Sequence, residues 1–582
     1  MPRTRHAAGL AALLSLLLPT VAHAGDPIMP LAGVQNGMRC TGYSVIRGTA
    51  ISSFNVDVVD VLASPDPSIL VTVSGPAVDD TGIAEGFSGS PVKCVDPADG
   101  VAKTIGAIAQ GTGDYGNKLV LVTPIQTMLG EPVDPPVTAK ATSSKARKAA
   151  RSARALASPL SFAGVSGPVA TALQKAGKKL NRALYAAPAA PRVGAFPVQT
   201  LEPGASVAAA LSSGDIAAGA IGTVTYVDNG VVWAFGHPLD AAGRRSLLLQ
   251  DAYVYTVVNN PIDTETVTSY KYASPGHDLG TLTNDAPAGI VGRLGALPDR
   301  FPLRVTATDL DSGRVVHQNT QIADETAIGQ PTGTSSLTQV APVAVAQAAY
   351  DILRGSPARQ SGEMCLRITV RERKAPLRFC NTYVGGSPSS PASPLVADAA
   401  AALTLLDSYN FGTLHVTAAD VSLKLRRDLH QAYILDASAP VHVKRGRDIK
   451  VKVHGQRIRG VKFTKTATVH IPRYLTKGTH ILTLTGTPAD AKAGDSDSQD
   501  LSSIFTISLG DESSSSDDDP GPRSLDELAA TFSAIHREDG VTASFRDPGD
   551  NNGETATPEI EVLRDPQLRL SGSAQLRVVV RP

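Results

Sequence analysis

From Gly42 to Val73 the chain alternates β-branched and polar residues, as in FNVDVVDVL (54–62) and SILVTVSG (68–75), with Pro and Gly between the runs. Side chains of a strand point to two faces in turn, so this period of two predicts short strands with one buried face. The pattern returns in TIGAIAQG (104–111) and KLVLVTPI (118–125), which predicts one compact β unit over about 30–130. A second β unit starts near Leu201 and carries AIGTVTYVDNGVVWAFGHPLD (220–240), where Asp228-Asn229-Gly230 marks a tight turn between two apolar strands. From Val343 to Leu353 the apolar residues recur at helical spacing instead. Beyond that helix, VHVKRGRDIKVKVHG (441–455), RGVKFTKTATVHIP (459–472) and THILTLTG (479–486) alternate again with exposed Lys and Arg, as in β-sandwich-like accessory modules.

The N-terminus differs in kind. Arg3 and Arg5 give a positive start, Ala7 to Leu18 an apolar run, and Ala22-His23-Ala24 a small-residue cleavage site, the order of a secretory signal peptide. The run falls short of the roughly 18 apolar residues that a membrane helix needs. An extracytoplasmic protein (secreted, periplasmic or envelope-associated) with a mature start near Gly25 is therefore expected, a retained anchor being the alternative. The 582 residues allow about three to four domains. The organisation read from these shifts is a signal peptide over 1–24, a β lobe over 25–135, a basic Ala- and Pro-rich tether over 136–200, and a second β lobe over 201–355. A β-rich accessory region over 356–510, an acidic Ser-rich linker over 511–523 and a C-terminal helix and β tail over 524–582 complete it.

Basic and acidic side chains balance at 54 each, which argues against nucleic acid, since phosphate binding needs a concentrated basic surface. The tether is the local exception, with nine Lys and Arg from Lys145 to Arg182 and no acid between Lys140 and Glu202; a flexible or partly helical, solvated tether is the expected reading, and a binding patch the alternative. Export places the four cysteines where disulfides persist. Cys365 and Cys380 flank a strand-turn-strand pattern, so a bridge would staple a hairpin, and Cys40 and Cys94 pair by elimination; four buried thiols are the alternative. Asp495, Asp497 and Asp500, and separately Asp547, Asp550 and Glu554, sit in loops that could recruit calcium, but neither set fits the twelve-position calcium loop and solvated acidic turns are the simpler reading. No Cys/His cluster has zinc spacing and no Gly-rich phosphate loop is present, so neither a metal nor a cofactor is expected.

Gly86-Phe87-Ser88-Gly89-Ser90-Pro91 is the string that suggests chemistry. A serine acts as a nucleophile when the backbone exposes it, a base takes its proton and amide donors meet the oxyanion. Here Ser88 is the candidate, with the amides of Gly86 and Ser88 as the donor pair; a plain turn is the bland alternative. An α/β-hydrolase elbow would need glycine at position 90, where Ser90 stands. Between the signal peptide and residue 400 the histidines are His237, His277 and His317. His237 follows a predicted strand between Gly236 and Pro238, which places an imidazole of ordinary pKa near 6.5 at a strand end. His277 has Asp278 beside it, and His317 sits in a polar strand.

Two segments, GIAEGFSGSPV (82–92) and GAIGTVTYVDNGVVWAFGHPLD (219–240), resemble the serine and histidine segments of the SpoIVB-type serine peptidases of bacterial sporulation and their exported relatives. The likeness covers roughly residues 30–310. It implies a mainly β chain with a trypsin-like double β-barrel, Ser88 as nucleophile, His237 as base, and restricted cuts in other exported or membrane proteins. In those peptidases the histidine segment comes first, so the resemblance implies lobes in exchanged order here. The family's acid position falls on Ser74. Asp240 is the first choice for the missing acid, with Asp79, Asp80 and Asp251 open. The expectation is thus an exported serine endopeptidase acting on protein or peptide substrates; a catalytically silent β scaffold and an esterase-like hydrolase are the alternatives.

Overall fold

The structure, a computed structural model, describes residues 25–62, 67–111, 118–135, 158–180, 182–187, 196–259, 269–328, 334–355, 357, 359–385, 393–486, 500–510, 521–535, 539–550 and 556–581. The expected signal peptide, the first part of the expected tether and most of the acidic linker lie outside these residues, as do Asp495, Asp497 and Glu554. Among the described residues no helix is long and apolar enough to cross a membrane.

The first alternating run folds as β1 (Arg39–Arg47), β2 (Ala50–Leu62), β3 (Ser68–Ser74), β4 (Pro91–Val95), β5 (Ala102–Gly111) and β6 (Leu119–Pro124). These strands close into an antiparallel barrel in the order β1-β2-β3-β6-β5-β4. Alternation decides which side faces in: Phe54, Val56 and Val58 of β2, Ile69, Val71 and Val73 of β3, and Val120 and Val122 of β6 fill one core together with Phe87. The β4–β1 seam that closes the ring is three residue pairs long, and Cys40 stands directly opposite Cys94 in it. A disulfide joins the two.

The second barrel comprises β9 (Ser206–Ala210), β11 (Ala217–Asp228), β12 (Val231–Ala234), β13 (Gly243–Val258), β14 (Tyr270–Ala286) and β15 (Gly289–Leu294). The ring runs β9-β11-β12-β15-β14-β13 and back to β9, every neighbour antiparallel. Two six-stranded antiparallel barrels therefore stand side by side. Ser88 lies in the loop between β3 and β4 of the first, and His237 follows β12 of the second.

Part of the expected tether is ordered. Residues 160–187 form β7 (Leu160–Ala163), α2 (Gly167–Leu180, after the short α1 at Ile125–Leu129) and β8 (Leu184–Ala187), a β-α-β unit whose parallel strands extend the second barrel's sheet from β11. Val169, Ala172, Leu173 and Ala176 of α2 are buried while Lys175, Lys178 and Lys179 line its other side. Small apolar residues let this helix pack closely, which is why its Ala-rich sequence read as linker.

The boundary expected at 355 also gives way. A six-stranded sheet in the order β10-β17-β16-β20-β18-β19 draws β10 (Ser212–Gly214), β16 (Arg300–Asp309) and β17 (Val315–Ala323) from one side of that point, and β18 (Gln360–Val370), β19 (Leu377–Gly385) and β20 (Val416–Arg426) from the other. Helix α3 (Ser336–Leu353) covers it, joined by α4 (Ser393–Asp407), α5 (Leu501–Leu509) and α6 (Leu525–Ser533) in one apolar core that is continuous with the second barrel. Cys365 and Cys380, in register across β18 and β19, form the second disulfide. The C-terminal unit has two sheets around one core. One is β24 (Lys462–His470), β23 (Asp448–Arg457), β21 (Gln431–Ser438) and β28 (Arg569–Ser571); the other is β22 (His442–Lys444), β29 (Ser573–Arg581), β25 (Gly478–Thr485), β26 (Gly540–Arg546) and β27 (Ile560–Arg564).

The Cys40–Cys94 bridge spans 54 residues and fastens a short seam, whereas Cys365–Cys380 spans 15 within a hairpin. Chain-entropy arguments give about 4 and about 3 kcal/mol respectively. Urea unfolding should therefore show a larger loss for Cys40→Ala/Cys94→Ala than for Cys365→Ala/Cys380→Ala, with the near-UV signal of the first barrel lost first in the former.

Candidate active site

The serine loop leaves the first barrel but is held by the second. Glu85 lies beside the start of β14 as a one-residue parallel bridge: its N–H donates to Ser269 O at 2.8 Å, and Lys271 N–H donates to Glu85 O at 2.9 Å. Thr223 N–H donates to Ser88 O at 2.8 Å, and the hydroxyls of Thr223 and Thr225 donate to the carbonyls of Gly86 (2.9 Å) and Gly89 (2.8 Å). Gly86 and Gly89 sit at φ 91° and 96°. At Gly89 a Cβ would stand 1.9 Å from Thr223 O and 2.5 Å from Phe235 N, so the close approach of the two barrels requires glycine there.

That approach brings the serine loop against the histidine turn. Gly236 N–H donates to Ala234 O at 2.9 Å, closing a three-residue γ-turn around Phe235 at φ 70°. A bulky side chain is strained at such an angle, and strain of this kind persists only where packing enforces it. The enforcing contact is the buried Phe235 ring over Gly222, where a Cβ would come within 2.2 Å of a ring carbon. His237, next after the turn, is 2 % exposed, and Ser88 is 7 % exposed. Gly89 touches the Phe235 backbone, and the Ile108 carbonyl that accepts from Gly89 N–H also abuts Gly236. The Ser88 and His237 segments, 149 residues apart in sequence, are thus packed together.

The imidazole is held by its own neighbour. Nδ1 lies 2.7 Å from Pro238 O, and a carbonyl can only accept, so Nδ1 carries the proton and Nε2 the lone pair. Nε2 is buried and has no hydrogen-bond partner among the described residues, so it does not bond Ser88 Oγ in this conformation. Burial pushes the His237 pKa down to about 4 against the opposing pull of the Pro238 carbonyl. On the serine side, the N–H groups of Gly86 and Ser88 meet no acceptor among the described residues, while those of Phe87, Gly89 and Ser90 are engaged.

Asp240 does not stand behind His237. Its carboxylate faces Arg245 at 3.3 Å, and Pro238 O occupies the place at Nδ1 expected for the acid. The chain bends at Leu239 and Asp240, whose amides are drawn to Asp285, and the Asp240 side chain is directed to Arg245 instead. The buried carboxylate of this region is Asp285, which accepts from the amides of Leu239 (2.6 Å), Asp240 (2.8 Å) and Ala242 (3.1 Å) and so fixes the loop after the histidine. Burial and the neighbouring Asp240 carboxylate push the Asp285 pKa up, against Arg245 and the amides. Arg245 in turn forms a buried bidentate pair with Glu325, with 2.8 and 3.0 Å contacts. Asp79 accepts from Gly75 N–H and Asp80 is exposed. Asp251 pairs with His277 at 2.9 Å, seven residues along β14 from Tyr270, about 23 Å in an extended strand. His317 lies 3.3 Å from the Thr306 hydroxyl on an exposed face. Asp500, one of the calcium candidates, caps α5 by accepting from Ser503 N–H.

Under the serine loop lies a group that the sequence pattern did not mark. Lys271 is fully buried, its Nζ 2.8 Å from Ser44 Oγ, 3.0 Å from Thr223 Oγ1, 3.5 Å from Ser206 Oγ and 4.8 Å from the Phe87 ring centre. Burial pushes its pKa down to about 7. Ser44 continues the chain to Ser90 Oγ at 3.0 Å, which donates to Phe87 O at 2.6 Å. Neither Lys271 nor Asp285 carries a motif; each is one charged residue in an otherwise strand-like run.

No family model, no curated protein and no solved structure matches this chain.

The His237 environment has a measurable consequence for stability. In the unfolded chain the imidazole takes a proton near 6.5, in the fold only near 4. The unfolded state therefore binds more protons between those values, and stability, present in full above pH 6.5, falls as pH drops to 4 by on the order of 3 kcal/mol. His237→Asn keeps a donor for Pro238 O and removes the titration. Chemical unfolding at pH 4 to 7 should show a flatter pH slope in this variant; identical slopes would mean that the native imidazole is not shielded.

Proposed function

We propose that this chain is an exported serine endopeptidase of the SpoIVB type, with exchanged trypsin-like lobes, in which Ser88 is the nucleophile and His237 the general base. The observation that supports the reading is the packing of the Gly89 loop against the Phe235 turn: Ser88 adjoins the one, with two loop amides that meet no acceptor among the described residues, and His237, protonated on Nδ1, adjoins the other. In the proposed reaction a rotation about Ser88 χ1 brings Oγ to His237 Nε2. Oγ attacks the scissile carbonyl carbon as its proton passes to Nε2, and the N–H groups of Gly86 and Ser88 receive the oxyanion. Collapse breaks the C–N bond, with the proton given to the leaving amine, and water repeats the sequence to release the acyl group.

An orienting acid normally does two things, fixing the tautomer and stabilising the imidazolium. Pro238 O supplies the first. No carboxylate among the described residues supplies the second, so turnover slower than that of a full triad is expected. The two disulfides accord with an oxidising compartment, and the C-terminal pair of sheets is read as a sandwich-like accessory module for positioning substrate proteins.

A fluorophosphonate probe tests the reading. One label per chain is expected, on Ser88 by peptide mapping, lost in Ser88→Ala and slowed at least about 10²-fold in His237→Ala. Absence of label on folded protein would favour a silent scaffold. Label retained in His237→Ala but abolished in His277→Ala would move the base to the His277–Asp251 pair. Cleavage of peptides as well as esters separates the peptidase from an esterase.

A further inference from the structure

We propose that Lys271 is a positioning residue for the oxyanion hole, setting the two peptide planes whose N–H groups receive the negative charge. The inference rests on the Ser88 reading for its chemistry, but its structural content stands apart from it. In a trans peptide the C=O and the following N–H point in opposite directions. The N–H of Gly86 shares its plane with Glu85 C=O, and that carbonyl is held by the Lys271 backbone N–H at 2.9 Å. The N–H of Ser88 shares its plane with Phe87 C=O, which accepts from Ser90 Oγ at 2.6 Å and Ser90 N at 2.8 Å. Ser90 Oγ also bonds Ser44 Oγ at 3.0 Å, and Ser44 Oγ receives Lys271 Nζ at 2.8 Å. One residue therefore draws both carbonyls inward, by its main chain at one plane and by a lysine–serine–serine relay at the other. Both amides are turned outward.

A third tie fixes what lies between. Lys271 Nζ reaches Thr223 Oγ1 at 3.0 Å, and that hydroxyl donates to Gly86 O at 2.9 Å, directing the intervening Phe87 N–H to Ala84 O at 3.0 Å. The alternation out, in, out along Gly86, Phe87 and Ser88 needs the left-handed φ of 91° at Gly86, where an added Cβ would press on the Lys271 side chain at 3.1 to 3.2 Å. The Lys271 partners are hydroxyls on both barrels, Ser44 from the first and Ser206 and Thr223 from the second. The donor pair is thus coupled to the seating of one barrel on the other.

The test uses the mature chain with Lys271→Met, which keeps the stem and the backbone donor but loses Nζ, and Ser44→Ala, which removes one relay hydroxyl and is the milder change should the first not fold. Crystal structures of both are expected to show the Phe87–Ser88 peptide rotated, with Phe87 O no longer on Ser90 Oγ; an unrotated plane in a folded variant overturns the proposal whether or not the wild type has activity. With active wild type, Lys271→Met should lower kcat and the fluorophosphonate labelling rate by about 10²-fold, the size of losing one oxyanion donor, with KM within about twofold and label still reaching one per chain on Ser88. Wild-type rates would overturn it, as would a loss confined to KM. Failure of the wild type to label speaks against the Ser88 reading alone, and the rotation of the plane then decides the role of Lys271.

Discussion

The seating of the serine loop on the second barrel is the constraint from which the rest of this site follows. Residues 85–90 belong by sequence to the first barrel, yet Ser269, Lys271, Thr223 and Thr225 of the second partner the backbone of Glu85, Gly86, Ser88 and Gly89. Burying a lysine without a carboxylate partner is costly unless oxygen acceptors surround it. Ser44, Thr223 and Ser206 do so at the junction. The junction is therefore polar at its centre and specific in register, where an apolar contact of equal area would tolerate sliding. A slide of even one residue would unpair Glu85 from Tyr270 and move Ser88 away from the histidine turn.

The histidine side follows the opposite logic. Its geometry is imposed by apolar packing, a strained turn at Phe235 wedged over Gly222 and a loop gathered by Asp285. Local strain at Phe235 is sustained by burial of its ring in the core that both the barrel and the helical layer share. The imidazole so placed is shielded, and burial lowers its pKa and keeps it neutral. A serine loop fixed by hydrogen bonds thus meets a histidine turn wedged by sterics and tied behind by Asp285.

Much of this was legible in the sequence, and what was not has identifiable reasons. Strands such as β2, β3 and β6 announce themselves because one face is buried and the other wet, so FNVDVVDVL reads without ambiguity. The Cys365–Cys380 staple was legible because a hairpin pairs residues symmetric about its turn. The β-α-β unit at 160–187 was not, since Ala carries too little hydrophobic contrast against Lys to reveal which side of α2 is buried. The break expected at 355 failed because β16 pairs in parallel with β20 across more than a hundred residues, and no local pattern encodes a nonlocal partner. Ser88 and His237 could be nominated from their glycine and proline neighbours. Asp240 was nominated by proximity in sequence, but its carboxylate goes to Arg245, while Asp285 and Lys271 matter only through what the fold sets beside them.

Arg245 and Glu325 carry one more implication. The arginine emerges from a barrel strand behind the histidine loop, and its buried carboxylate partner comes from the segment just past β17, in the sheet that follows the barrels. Strand β10, rooted in the barrel, is likewise an edge of that sheet. The twin barrels are consequently not a detachable cassette: trimming the chain at residue 295, just after β15, would strand a guanidinium in the interior and unzip an edge. The helical layer has become part of the scaffold and must travel with it, and because α5 and α6 of that layer come between β25 and β26 along the chain, the C-terminal sheets are threaded into the same scaffold.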